Sequence, residues 1–171
     1  MQDNGGLGKG RGRKASPGTW IGGGLTAGAA LVVRLWAGSP LPILHTVGAA
    51  VRLPPMWLAG LLWFAAFFLL GCAAGTVMTG HGGGPVQSAW RLRGGLYCLI
   101  AVLSVLIWYP LLFSSALLWV SLLPLLLSLA SAVLCGLCWM RLRYASVLPV
   151  LAFCIFVLYL FLLQLVVLFS R

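Results

Sequence analysis

The sequence predicts an all-α integral membrane protein that is built as a bundle of five transmembrane helices. The first observation behind this prediction is composition, since 62% of the 171 residues are hydrophobic and only 7% are charged. A soluble domain of this size cannot hide so much apolar surface, so its solvent must be lipid. The second observation is that the chain divides into five apolar stretches of membrane-spanning length. The third is that the basic residues cluster where these stretches end.

Residues 1–19 form a basic, glycine-rich tail, for which we predict disorder because it has no hydrophobic periodicity. Two alternatives stay open for this tail: a signal peptide that continues into the first apolar stretch, and an RNA-binding segment. Neither is favoured, because no clear cleavage site of small residues follows and no aromatic residue lies between the basic ones. The membrane domain is therefore predicted to cover residues 20–171.

The five spans are predicted from long uncharged runs and from the turn signals between them. Pro54 and Pro55 mark the start of the second span, since proline is tolerated in the first turn of a helix. Pro110 is expected to kink or end the third span. In the first span, Gly24 and Gly28 have the spacing that lets another helix approach closely. The predicted spans are residues 20–37, 56–78, 96–113, 117–140 and 147–169.

The segment 38–53 contains two prolines, His45 and Arg52, and is too interrupted to cross a membrane. We expect it to be an ordered loop or a short helix that covers one end of the bundle as a lid. His45 is interpreted as a hydrogen-bonding loop residue, with contact to a ligand as the alternative. Ser114 and Ser115 alone separate the third and fourth spans, which should therefore form a tight antiparallel pair.

The basic residues are divided unequally between the two faces of this five-span arrangement. Eight lie on the face that holds the N-terminal tail and the connections between spans two and three and spans four and five, and three lie on the other face. Arg34, one of these three, is expected to extend toward the membrane surface. Because cytoplasmic loops carry the excess of basic residues, we expect the N terminus to lie in the cytoplasm. The bacterial plasma membrane is the expected location, and an organelle membrane stays open as the alternative.

Four different short motifs lie in or next to the second, third and fifth spans. Pro-Pro-x-Trp-x-x-Gly-x-x-Trp covers residues 54–63, and Gly71 follows eight residues after its second tryptophan. Gly-Leu-Tyr lies at residues 95–97, Trp-Tyr-Pro at residues 108–110, and Leu-Pro-Val-Leu-Ala-Phe at residues 148–153. In register and order these motifs resemble the TspO/MBR family, the translocator proteins or tryptophan-rich sensory proteins. The resemblance implies a divergent member of that family, with its five-helix fold.

The resemblance also implies a receptor-like or sensor-like protein that binds a hydrophobic or aromatic small molecule, such as a porphyrin, haem or a sterol, inside the bundle. Such flat apolar ligands are held by stacking and buried area, so aromatic residues should converge from several helices. Where the family has polar residues in helices three and four, this chain has Ala101, Val105 and Pro124, so its pocket should be more apolar. The positions that match, or lie close to, the family's pocket positions are Ala59, Trp63, Trp108, Trp119, Leu123, Leu127, Phe153 and Val157.

Two groups of tryptophans are expected to differ in role. Trp63 and Trp108 lie deep in their spans, where an indole N–H needs a partner, and pocket lining and simple packing both stay open for them. The remaining tryptophans near span ends are predicted to form an interfacial belt. These are Trp20, Trp36, Trp57, Trp90 and Trp139.

Catalysis is not expected from this sequence. Asp3 is the only acidic residue, so paired carboxylates are absent and no nucleophile has an evident base. Porphyrin breakdown, suggested for parts of the family, would depend on an aromatic pair of which Trp63 alone is present. The five cysteines fall within spans and are interpreted as small buried apolar residues, with no metal site and no obligatory cofactor.

The expected partners are the lipid bilayer and a hydrophobic small-molecule ligand, whereas nucleic acid is not expected. A homodimer stays open. Two other function classes also stay open: a structural or accessory membrane subunit with no ligand site, and a small-molecule transporter. Transport is disfavoured because it normally needs a strongly polar group at mid-membrane, for which Gln164 and a few serines are the only candidates.

Overall fold

The computed structural model describes residues 17–37, 55–80, 84–112 and 119–169. These residues form five long helices joined by turns, and none of them lies in a β-strand. Each helix is long and apolar enough to cross a membrane, so the predicted five-helix fold class is confirmed. The helices are α1 Pro17–Ala37, α2 Met56–Met78, α3 Pro85–Leu112, α4 Leu122–Met140 and α5 Val147–Phe169, with a 3₁₀ turn at Tyr144–Ser146 before α5.

Three helices differ from the predicted bounds. α1 begins at Pro17, so the last residues of the predicted tail are helical, with proline in the first turn, where it is tolerated. α3 begins at Pro85 rather than residue 96, which places Arg91 and Arg93 inside the helix. Long arginine side chains can reach the membrane surface from a helix end, so the helix extends beyond its apolar run. α4 begins at Leu122, after a turn, rather than at residue 117.

The other predicted elements have mixed outcomes. α2 and α5 have their predicted bounds. Pro110 lies inside α3, which ends two residues later at Leu112, as expected for a proline in a last turn. The lid 38–53 with His45, and the tail up to residue 16, lie outside the described residues.

Neighbouring helices along the chain run antiparallel. α1 packs along α2, α3 packs along α4, and α5 contacts both α4 and α2, with smaller contacts from α3 to α1 and α2. The predicted tight pair of the third and fourth spans is therefore confirmed. We call the end where α1, α3 and α5 finish the Trp108 end of the bundle, and the opposite end the Arg141 end.

The α1–α2 interface is formed by glycine backbones in direct contact. A Cβ atom at Gly75 would overlap the carbonyl oxygen of Gly18, and one at Gly71 would overlap the carbonyl oxygen of Gly22. Side chains at these positions would therefore force the helices apart. Gly71 and Gly75 therefore allow the close packing of α2 on α1.

The glycines of α1 that were predicted to receive another helix are not the ones that contact α2. Cβ atoms at Gly24 and Gly28 would meet nothing within 4 Å, so both face outward. Farther along α1, the Thr26 hydroxyl donates a hydrogen bond of 2.8 Å to the carbonyl oxygen of Phe67 in α2. The face of α1 that contacts α2 is therefore adjacent to the face that carries Gly24 and Gly28, and the spacing of small residues alone did not identify it.

A second close contact joins α3 and α4 at the Arg141 end. Trp139 is fully buried, and its indole lies so close to Gly94 that a Cβ atom there would overlap it. The prediction that Trp139 belongs to an interfacial belt is therefore wrong, because a glycine on the neighbouring helix leaves room for its ring. Near the middle of the same interface, the Ser128 hydroxyl donates to the carbonyl oxygen of Ala101 at 2.9 Å.

The other tryptophans of the predicted belt are at the surface. Trp20, Trp36 and Trp57 are exposed near helix ends, as a belt requires. Trp90 is half-buried, with the guanidinium carbon of Arg141 4.6 Å from the centroid of its ring. Arginines at this end therefore cover an aromatic surface as well as carrying charge.

Candidate functional site

Five aromatic side chains from α2, α3 and α5 pack together toward the Trp108 end, and we call them the aromatic cluster. Trp63 is central, with ring centroids 5.1 Å from both Phe67 and Tyr109 and 5.8 Å from Phe156. Phe67 in turn lies 5.7 Å from Phe153, in an edge-to-face arrangement. These distances are typical of favourable aromatic pairs. The cluster therefore connects three helices through ring contacts.

Helical spacing explains how the sequence assembles this cluster. Trp63 and Phe67 are four residues apart, and Phe153 and Phe156 are three apart, so each pair lies on one face of its helix. Because α2 and α5 are antiparallel, the first residue of one pair meets the second residue of the other. Tyr109 completes the cluster from the last turns of α3.

Trp63 carries a hydrogen-bond donor without a partner. Its side chain is 5% exposed, and its indole Nε1 has no hydrogen-bond partner among the described residues. Most buried polar groups are hydrogen-bonded, and an unsatisfied one is costly. Trp139 has the same property at the other end of the bundle. Trp63, however, packs against the rings of Phe67, Tyr109 and Phe156, so its unsatisfied donor belongs to an aromatic environment.

Trp108 lies next to the cluster but has a partner for its N–H. Its Nε1 donates to the Gln164 side-chain oxygen at 3.1 Å, and the Gln164 amide nitrogen donates to the Ser121 hydroxyl at 2.6 Å. The three residues link α3, α5 and the turn before α4, and all are buried. Gln164, the polar candidate for transport, thus uses its amide to hold helices together.

The eight predicted site residues divide into two groups of four. Trp63, Trp108, Phe153 and Val157 are buried inside the bundle. Of these, the aromatic cluster includes Trp63 and Phe153. The remaining four are exposed on the outer surface, where they do not face the cluster: Ala59, Trp119, Leu123 and Leu127.

Sequence reasoning missed three members of the cluster. Phe67 and Phe156 could have been found from their helical spacing to Trp63 and Phe153. Tyr109 stands inside the Trp-Tyr-Pro motif but was not selected as a pocket residue. Each of the three ring positions is therefore visible in the sequence once the two anchor residues are chosen.

A separate apolar groove of about 540 Å³ lies on the outer side of the α1–α2 pair. Gly28 and Leu31 from α1 and Leu61, Phe64 and Phe68 from α2 are among its lining residues. Leu31 and Leu61 are exposed, so the groove faces the surroundings of the bundle rather than the aromatic cluster.

No candidate metal site is found in the described part of the chain. No three His, Cys, Asp or Glu residues there lie close enough together to hold an ion. The cysteines are free thiols, and Cys98, Cys135 and Cys138 are buried, as predicted for small apolar residues, whereas Cys72 and Cys154 are half-buried. The chemistry available at the cluster is thus stacking and hydrogen bonding.

These features define a multi-pass integral membrane protein, an all-α bundle with aromatic rings packed inside one end and a bilayer as its surroundings. Comparison with protein-family models, with curated proteins and with solved structures found no match to this chain. The family resemblance of the sequence motifs therefore stays a prediction.

Proposed function

We propose that this protein is a receptor-like or sensor-like membrane protein, a divergent TspO/MBR member, that binds a hydrophobic aromatic molecule such as a porphyrin, or a sterol, at the aromatic cluster. The observation that carries the proposal is the buried N–H of Trp63, which has no hydrogen-bond partner in the described part of the chain and belongs to a ring at the centre of aromatic contacts from three helices. A bound molecule with an acceptor would satisfy this donor. No catalysis is proposed, because the only acidic residue of the chain is Asp3.

Binding would exchange contacts among the rings for contacts between the rings and the ligand. Each aromatic pair contributes about 0.5–1.5 kcal/mol beyond its buried area. Replacing a contact between two side-chain rings by a contact between a side-chain ring and the ligand therefore changes the free energy little. The new hydrogen bond to Trp63 contributes about 1 kcal/mol, and the area buried on the ligand adds to it. Affinity should therefore respond both to the N–H and to the ring of Trp63.

The proposal is tested by titrating the purified protein in detergent with protoporphyrin IX and measuring quenching of tryptophan fluorescence. Trp63→Phe keeps a ring but removes the N–H, so we expect about fivefold weaker binding, which is about 1 kcal/mol. Trp63→Ala removes both and should weaken binding by about 30-fold or more.

Trp139→Phe is the matched control, because the buried N–H of Trp139 also lacks a partner among residues that the structure describes but lies at the Arg141 end. It should bind the porphyrin as the unaltered protein does. Equal affinity of Trp63→Ala and the unaltered protein would place the site elsewhere. A sterol titration run in the same way distinguishes the two ligand classes.

We propose further that the Arg141 end faces the cytoplasm of a bacterial cell, with the N terminus on that side. Arg91, Arg93, Arg141 and Arg143 all belong to this end, and an excess of basic residues favours the cytoplasmic side. Alkaline phosphatase fused to the C terminus should be active in such cells, whereas green fluorescent protein fused there should not fluoresce. The opposite pattern would reverse the topology.

A structural or accessory subunit is the second candidate, and the outer groove beside Gly28 is the observation that favours it. A partner helix or a second copy of this chain would approach closely there, since Gly28 has open space around it. This reading predicts no binding of porphyrin or sterol, together with a stoichiometric complex that Gly28→Leu disrupts. Transport is less favoured, because the amide of Gln164 is committed to structural hydrogen bonds.

A further inference from the structure

Arg34 places a positive charge beside the rings of the Trp108 end. It lies in the last turn of α1 and is half-buried. Its guanidinium carbon is 5.9 Å from the centroid of the Phe64 ring in α2. It also covers Gly60, where a Cβ atom would come within 2.6 Å of the guanidinium Nη1. The side chain thus crosses from α1 onto α2.

This charge has no acidic partner among the described residues. The only acidic side chain of the protein is Asp3, which precedes α1, whereas Arg34 is in its last turn. An ionised residue within a membrane span is costly and is commonly a functional residue that faces a bundle interior or pairs with another group. Reaching the membrane surface is the simpler role for an arginine near a helix end.

The contacts of Arg34 favour a role at the aromatic cluster over that simpler role. Gly60, which its guanidinium covers, is three residues before Trp63 and therefore lies on the same face of α2. The cation therefore lies about one helical turn along α2 from the residue whose buried N–H carries the proposed function. Both groups are donors, and the described residues offer no carboxylate to either of them.

We propose that Arg34 pairs with a carboxylate of the aromatic ligand, so that the site selects anionic ring molecules over neutral ones. This inference rests on the proposed function and names the charge of its ligand. Guanidinium and carboxylate form strong charge-assisted hydrogen bonds, and salt screens such a pair less at a half-buried position than at a fully exposed one. Gly60 is a positioning residue in this arrangement, because its missing side chain leaves the room that the guanidinium occupies.

The test compares protoporphyrin IX, which has two carboxylates, with its dimethyl ester, which has none. Both are titrated into the protein in a non-ionic detergent. The unaltered protein should bind the dicarboxylate about tenfold more tightly than the ester. Arg34→Gln should abolish this preference by weakening the binding of the dicarboxylate to the level of the ester, and Arg34→Lys should retain part of the preference.

Gly60→Ala provides a second variant in which the charge is kept and only its position changes. The added methyl group displaces the guanidinium, so the preference for the dicarboxylate should fall. Gly28→Ala is the matched control, because a Cβ atom there meets nothing within 4 Å, and it should keep the full preference. Helical circular dichroism and a single elution peak establish that each variant is folded.

Each other outcome overturns the inference in a recognisable way. Arg34 does not select the ligand by charge if the ester binds the unaltered protein as tightly as the dicarboxylate does. The same conclusion follows if Arg34→Gln keeps the preference for the dicarboxylate. In both cases the proposed function stands. If neither porphyrin binds at all, the inference falls together with porphyrin binding, and the sterol titration then decides whether the proposed function stands. If Arg34→Gln instead lowers only the amount of phosphatidylglycerol retained from mixed micelles, the cation pairs with lipid phosphate and not with a ligand.

Discussion

The hydroxyl oxygen of Thr26 in α1 lies 2.8 Å from the carbonyl oxygen of Phe67 in α2. The same residue, Phe67, places its ring in the aromatic cluster, 5.1 Å from Trp63. The backbone of α2 is therefore fixed to α1 at the position where its side chain contributes to the proposed ligand site. Loss of the Thr26 hydrogen bond should lower the stability of the fold before it affects ligand binding, because the hydroxyl does not itself belong to the aromatic cluster.

Thr26→Val should lower the free energy of unfolding by about 1 kcal/mol, because hydrogen bonds between membrane helices contribute on this scale. The measurement is a titration with sodium dodecyl sulfate in mixed micelles. Thr76→Val is the matched control, since the Thr76 hydroxyl bonds within α2, to Ala73, and it should cost less. Equal losses in the two variants would mean that the bond between helices contributes nothing of its own.

Gly75→Ala should separate α1 from α2 and cost about 2 kcal/mol or more, as expected when a tight interface is overpacked. Its Cβ atom would overlap the backbone of Gly18, which cannot rotate away as a side chain does. Thermal unfolding in detergent gives the measurement. Gly24→Ala, on the outward face of α1, should be neutral or slightly stabilising, because alanine favours helix more than glycine. A neutral Gly75→Ala would contradict the close contact.

Trp108→Phe and Gln164→Leu should each destabilise the protein by about 1–3 kcal/mol, because each leaves a buried polar group without its partner. The double variant should cost less than the sum of the two, with a coupling of about 1 kcal/mol between them. A double-mutant cycle from unfolding titrations measures this coupling. Strict additivity would show that the 3.1 Å contact carries no energy. Loss of activity in a transport assay with unchanged stability would instead assign Gln164 to transport.

Gly94→Ala should destabilise the α3–α4 pair by about 1–3 kcal/mol, because the methyl group would overlap the indole of Trp139. Its neighbour Gly95 supplies the control, since a Cβ atom there meets only the flexible end of Met78, at 3.2 Å. Gly95→Ala should therefore cost less than Gly94→Ala in the same unfolding experiment. The reverse order would place Trp139 elsewhere.

Segment length and polarity predicted most of the fold because they are read directly from composition along the chain. The bounds of α2 and α5 follow from Pro55, the adjacent glycines and the basic residues around Arg143. The start of α3 was missed, since a helix continues past the apolar run as long as its polar residues reach the interface. Chain polarity therefore locates the lipid-embedded part of a helix better than its ends.

The side of each helix that faces inward was harder to predict. In lipid both faces of a helix are apolar, so the pattern of polar and apolar residues does not show which face points into the bundle. Leu123 and Leu127 are exposed while Leu125 is buried, although all three are leucines. Trp139 was misjudged for a related reason, since its burial depends on a glycine of a different helix. Such pairings become visible only when the helices are brought together.

The glycine contacts of α1 and α2 make these two helices one mechanical unit, because their backbones touch directly. The helices α3, α4 and α5 form a second unit, joined by Trp139, Ser128 and the Gln164 hydrogen bonds. Between the units the aromatic cluster supplies contacts of rings, which can slide or part without breaking a backbone contact. A molecule that entered between these rings would therefore separate the α1–α2 unit from the unit formed by α3, α4 and α5, and would leave the contacts within each unit in place.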